Sequence, residues 1–214
     1  MMKRVISWVL AIVFVTPIYT LTAGEVTLVA ERTDARGVEL LKTLAEEFRK
    51  LTTYEVAFRV VADEMEVSGR YGVEGEKYAL QVGDAEVYSD GVVRYEVDKG
   101  HREVVINNVE KLSHNLLDNP VHAFEFVTDE YEVSVVESRQ DWAVIRLEPK
   151  AESKQSVGSI EVAMNLKSHL PQRVEYNYDG ERIVVKIESV GSLSGGVAQF
   201  DKRNYKGYEM IDFR

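Results

Sequence analysis

Residues Tyr88–Ile106 read YSDGVVRYEVDKGHREVVI. A Ser-Asp-Gly turn at Ser89–Gly91 leads into a strand with an aromatic, Tyr95, at its middle. Asp98-Lys99-Gly100 then turns the chain, and a second strand starts at Glu103. Aspartate and glycine turns that close short alternating runs are the signature of antiparallel hairpins. Whether this hairpin is scaffold or part of something that holds a ligand depends on what flanks it.

Outward from the hairpin the same grammar continues. Tyr54, Val56, Phe58, Val60 and Ala62 share one face of a strand, with Glu55, Arg59 and Asp63 among the alternate positions. Further strands are read at Val67–Val73, Lys77–Val82, Ala85–Ser89, Val92–Val97 and Glu103–Val109, with Gly69 a candidate bulge or bend. Upstream, Val38, Leu41, Leu44, Ala45, Phe48 and Leu51 recur at three- and four-residue spacing, which predicts an amphipathic helix over Asp34–Leu51 with Asp34 as N-cap.

Downstream, a polar interruption at Lys111–Asn119 precedes Asn119-Pro120. That pair predicts the start of a short helix lined by Val121, Phe124 and Val127. Strands resume at Tyr131–Glu137, Trp142–Leu147, Gly158–Leu166, Arg173–Tyr178 and Arg182–Val190. Asp179-Gly180 makes a two-residue hairpin, and a GSLSGG loop precedes Gln199–Arg214. About eleven antiparallel strands with helices to one side predict a mainly β, α+β fold, a sheet curling around one core.

Met1–Arg4 (MMKR), the apolar run Val5–Val15 and the small residues of TLTAG follow the order of a secretory signal peptide. The run of 11 residues is shorter than the roughly 20 a membrane span needs. Residues 1–24 are therefore expected to be a cleaved signal peptide and 25–214 a single domain. The chain has 26 Lys+Arg against 36 Asp+Glu, a net charge of −10; without Lys3 and Arg4 the balance is 24 against 36, or −12. Such acidity argues against nucleic acid or an anionic membrane surface as ligand. No cysteine is present, although an exported protein could carry disulfides.

Catalytic chemistry finds little support in these residues. Of His101, His114, His122 and His169, only His114 and His122 fall near each other, and not at ligand spacing. No Gly-x-Ser-x-Gly elbow occurs, and GSLSGG lacks the Gly-Lys-Ser/Thr ending of a phosphate loop. No catalytic residue, metal site or cofactor is predicted. The apolar stripe of the Asp34–Leu51 helix must cover something: either it joins the sheet in one dry core, or the two enclose a cavity for an apolar guest. Periodicity leaves both open.

Taken in order, these features resemble the outer-membrane lipoprotein carriers, the LolA-like family. The resemblance rests on Ser89-Asp90-Gly91, Tyr95, Glu103-Val104, the helix leading into YEVAFRV, Asn119-Pro120 between two halves, AVIRLEPK ending at Lys150, and the closing AQFDKRNYKGYEMIDFR. It implies an unclosed antiparallel β-barrel with a helical lid over its apolar face. It also implies a periplasmic, non-enzymatic, monomeric carrier that takes acylated lipoproteins from an inner-membrane lipoprotein exporter towards the outer membrane. A LolA-like module that senses lipid or lipoprotein is the alternative, an exported hydrolase a weaker one. On this resemblance the guest is expected to meet Leu41, Leu44 and Phe48 from the helix and Phe58, Val60, Tyr78, Leu80 and Tyr95 from the strands. One departure is evident: many carriers have an Arg-Pro latch between the second and third strands, where this chain has VEGEKY, with Glu74 and Gly75. Closure is therefore expected to rest on apolar contact.

Overall fold

A computed structural model of the chain describes residues 34–63, 65–111, 117, 119–122, 124, 130–151, 158–178 and 180–214. The expected signal-peptide segment, His114, Val127 and Asp179 lie outside the described residues. A 15-residue helix, α1 (Ala35–Arg49), opens the structure, capped by the Asp34 carboxylate, which accepts from the Arg36 N–H at 2.8 Å. The expected stripe is the buried one: Leu41, Leu44, Ala45 and Phe48 point inward. Leu51 falls beyond the helix end and is exposed.

Twelve strands follow among the described residues: β1 (Thr53–Ala62), β2 (Met65–Glu74), β3 (Lys77–Val82), β4 (Ala85–Ser89), β5 (Val93–Asp98), β6 (Glu103–Asn108), β7 (Tyr131–Ser138), β8 (Trp142–Pro149), β9 (Ile160–Asn165), β10 (Pro171–Tyr178), β11 (Glu181–Ser192) and β12 (Glu209–Asp212). They form one sheet in the order β12-β6-β5-β4-β3-β2-β1-β11-β10-β9-β8-β7, so its two end strands do not pair and the barrel stays open. All pairings are antiparallel except β12 with β6, which is parallel. That short twelfth strand is the one element beyond the strands read from the sequence.

Register assigns every residue to a face, because paired residues share one and neighbours in sequence alternate. Val56, Tyr71, Leu80 and Val87 lie across from one another on the inner face, and the same parity continues through Phe58, Val185, Val174, Val162 and Ile145. The outer face of β1, β2 and β8–β11 carries charge instead. Arg146 meets Glu161 at 2.6 Å, Arg182 meets Glu175 at 2.5 Å, and Arg59 bridges Glu66 and Glu188. Alternation of this kind keeps one side dry and the other solvated.

Two local expectations change. Gly69 sits at no bulge: it pairs regularly with Phe58 and Val82, and in the β1–β11 pair, where the register shifts between Ala57 and Phe58, the extra residue is Glu188 of β11. A Cβ at Gly69 would lie 2.5 Å from the Phe58 ring, so the missing side chain makes room for that ring across the strand pair. At Asn119-Pro120 the described residues form a turn rather than a helix, closed by the His122 N–H on the Asn119 carbonyl at 3.2 Å. The Asn119 side chain, buried, donates to the Glu110 carbonyl at 3.1 Å and so ties the segment to the end of the first half-sheet instead of capping a helix.

The chain after β11 crosses the outer face as a strap. Leu193 and Val197 close over Gly72, and the Val197 N–H donates to Glu74 at 3.1 Å. Phe200 then stacks on Tyr95 at 4.2 Å. After a 3-10 turn at Lys202–Tyr205, the Tyr205 hydroxyl reaches Glu86 at 2.8 Å and Tyr88 at 2.9 Å. Phe200 therefore belongs to a covering segment. With Val97 and Val104 these side chains make a second, smaller core outside the sheet.

Candidate guest site on the inner face

Seven of the eight residues expected to meet a guest come together. Leu41, Leu44 and Phe48 of α1, Phe58 and Val60 of β1, and Tyr78 and Leu80 of β3 are all buried in one apolar cluster on the inner face. Tyr95 does not join them. It pairs with Tyr88 and Ile106 and shares their outer face, beneath Phe200. Its strand turns Arg94 and Glu96 inward instead. The alternation of Val93, Tyr95 and Val97 marks an apolar face correctly, but in this strand that face is the one the strap covers.

The cluster extends further than those seven, through Tyr54, Tyr71, Tyr131, Leu147, Met164 and Tyr176 among others. Most share the parity of Phe58 in the register, a signal present in the sequence once the strand pairing is known. Leu117 and Phe124 from the mid-chain segment belong to it as well. The Phe124 ring lies 4.3 Å from that of Phe48, which also meets Tyr54 edge-on at 5.5 Å. The inner face is thus covered by α1 together with Leu117 and Phe124, and Phe48 meets Phe124 ring to ring.

Polar ties hold both coverings. The Asp34 N–H donates to the Val133 carbonyl of β7 at 2.7 Å, and Arg36 donates to the Ser138 hydroxyl at 2.9 Å. Gly37 lets the helix approach so closely that a Cβ there would sit 2.9 Å from a Val133 methyl. These contacts fasten the N-terminal end of α1. At the mid-chain segment, the buried Arg94 guanidinium donates to the Leu117 carbonyl at 3.4 Å and stands 3.2 Å from Glu96. His122 faces Glu76 across 3.7 Å. Glu74, by contrast, is on the outer face with Val197. An arginine does reach the covering segment, from β5 rather than from the β2–β3 turn.

The Ser-Asp-Gly turn is architectural. The Asp90 carboxylate accepts from the Val92 and Val93 N–H groups at 2.9 and 2.8 Å, and these bonds hold its pKa below the ordinary value. Gly91 adopts φ +93°, and a Cβ there would lie 2.8 Å from that of Glu76, so the turn packs against the β2–β3 turn. Among the described residues no group of three or more His, Asp or Glu side chains gathers where a metal ion would sit. Burial raises the Tyr131 phenol to about 12, and burial with the nearby Tyr54 and Tyr176 raises that of Tyr71 well above its ordinary value. Both are neutral hydroxyls at physiological pH.

No family model and no curated protein matches the sequence. Among solved structures, an uncharacterized conserved protein from Thermus thermophilus is similar with a TM-score of 0.53 at 9% identity, covering 83% of this chain and 99% of that one. At that identity the likeness is one of fold alone. A LolA superfamily protein from Nitrosomonas europaea is returned at TM-score 0.39 and 11% identity, covering 79% of this chain and 97% of that one. A structure of the Pseudomonas aeruginosa MucA/MucB complex is returned at TM-score 0.39 and 14% identity, covering 81% of this chain but 61% of that one. Likenesses as distant as these two carry no argument about what the chain does. What the structure shows by itself is an open, almost wholly antiparallel barrel whose inner face is covered by an amphipathic helix.

Proposed function

We propose that the chain is a carrier that binds the acyl chains of lipoproteins where the apolar stripe of α1 lies in the closed form. One observation supports this reading above the others: an amphipathic helix tied to β7 by its N-terminal end, together with Leu117 and Phe124, covers the inner face of an open sheet. Moving these coverings exposes an apolar trough without breaking any pairing between strands.

The magnitudes suit exchange. Exposing an acyl chain costs about 0.8 kcal/mol per methylene, roughly 12 kcal/mol for one long chain. Lifting Leu41, Leu44 and Phe48 out of the trough forfeits about 1.5–3 kcal/mol each, or some 5–9 kcal/mol together. A guest therefore outcompetes the helix by a margin small enough to permit release. In this reading the protein works in the periplasm without catalysis, receiving cargo from an inner-membrane lipoprotein exporter. The test is to isolate the protein from its native envelope and identify bound species by mass spectrometry. Acylated peptide or lipid is expected with the wild type and absent from Leu44→Glu. A wild-type protein that arrives empty and binds no apolar probe would sink the proposal.

A further inference from the structure

The inner face is unusually rich in phenols for a surface that has only to be greasy. Tyr54, Tyr71, Tyr78, Tyr131 and Tyr176 are all buried in the cluster. Tyr71 stands at its centre: it pairs with Val56 of β1 on one side and Leu80 of β3 on the other, both inward-facing, with the Phe58 ring 6.0 Å and the Tyr54 ring 6.2 Å away. The residue is 1% exposed, and its hydroxyl has no hydrogen-bond partner among the described residues. A phenylalanine would fill the same space without the penalty of burying an unpaired hydroxyl.

Resting on the carrier reading, we propose that the guest is an acyl ester, and that its carbonyl oxygen accepts a hydrogen bond from the Tyr71 hydroxyl once α1 has given up its place. The chemistry narrows the choice. A neutral phenol in an apolar trough offers a donor, so the guest must bring an acceptor. That acceptor is uncharged, because a carboxylate among Val56, Phe58 and Leu80 would carry a heavy desolvation cost. An amide would add an N–H needing an acceptor of its own, whereas an ester carbonyl accepts and asks for nothing further. The ester sits part-way along the trough, with the acyl chain continuing over the apolar strands.

The test compares two probes of matched chain length, methyl laurate and tetradecane, in displacing a fluorescent apolar dye from the mature chain and from Tyr71→Phe. Wild type is expected to prefer the ester. In Tyr71→Phe the affinity for methyl laurate should fall about 3- to 10-fold while that for tetradecane stays unchanged, as loss of one hydrogen bond requires. Thermal unfolding is run alongside, and Tyr71→Phe is expected to be at least as stable as wild type. A markedly less stable variant, or an equal effect on both probes, or no effect on either, overturns the role of the hydroxyl while leaving the carrier reading in place. Wild type that binds neither probe removes the carrier reading and this inference with it. Dioctanoylglycerol and a dioctanoylglyceryl-cysteine peptide form two further arms, which separate a free glycerolipid from a lipidated polypeptide as the source of the ester. An ester-selective loss in either arm supports the proposal, and its absence from both overturns it.

Discussion

Gly69 and Phe58 show how much a single position decides. The Phe58 ring is fully buried and occupies the space a side chain at Gly69 would need, with the Gln81 carbonyl 3.0 Å away on the other side. Gly69→Ala is therefore expected to cost about 1–3 kcal/mol by overpacking, read from urea unfolding. An unchanged midpoint would mean that the Phe58 ring can move aside. On the outer face, burial raises the Glu86 pKa, but hydrogen bonds from Lys99 and Tyr205 outweigh it and leave the carboxyl below its ordinary 4.5. A carboxylate depressed on folding adds stability above its unfolded value and loses it as pH falls through the folded one. The contribution of Glu86 is thus present above its ordinary 4.5 and is lost as pH falls through its lower folded value. Tyr205→Phe removes one donor to that carboxylate and is expected to cost about 1–2 kcal/mol at pH 7, with a smaller difference from wild type at about pH 3. Equal losses at both pH values would show that the hydroxyl matters through its bond with Tyr88 and not through the Glu86 carboxylate.

Element by element, α1 was the most legible, because a 3.6-residue stripe bounded by an Asp cap has few alternative readings. Leu44→Glu tests what the helix is for. If α1 is a lid, the variant keeps its circular dichroism spectrum and loses acyl binding, since the charge prevents the trough from closing dry. If it unfolds instead, the helix is ordinary core. Gly37→Ala works in the opposite direction: its Cβ meets a Val133 methyl at 2.9 Å and pushes the fastened end off β7. A several-fold gain in probe affinity is expected, despite the roughly 1 kcal/mol that alanine adds to helix propensity. Unchanged or weaker binding would argue against α1 as the moving part. Strands were legible to the same degree, and faces were not. A period of two says that Val93, Tyr95 and Val97 look the same way, but not which way is in. For Tyr95 the answer came from Phe200, far along the chain. Likewise Asn119-Pro120 carries a helix-start pattern, yet the Asn119 side chain engages the Glu110 carbonyl. Such outcomes are tertiary, and no local window contains them.

For the molecule as a whole, the two faces of the sheet divide the labour. The strap fixes β4–β6 from outside and ends in β12, which caps the β6 edge, so that half of the sheet is braced independently of whatever happens inside. On the carrier reading, the inner coverings are the parts that move. What restrains them is apolar contact together with polar ties, among them the buried Arg94 guanidinium on the Leu117 carbonyl beside Glu96. Salt screens exposed charges and leaves buried ones largely untouched. Dye uptake by the empty protein is therefore expected to change little between low and high ionic strength, even though a charged group takes part. Removing Arg94 alone would strand Glu96 in the interior and destabilise the fold, so the informative variant replaces both. In Arg94→Met/Glu96→Leu the trough keeps its volume, the bond from Arg94 to the Leu117 carbonyl is gone, and uptake should quicken several-fold in stopped-flow mixing. Uptake at the wild-type rate would assign closure to the Phe48–Phe124 contact, and a strong salt dependence in wild type would point to the more exposed His122–Glu76 pair.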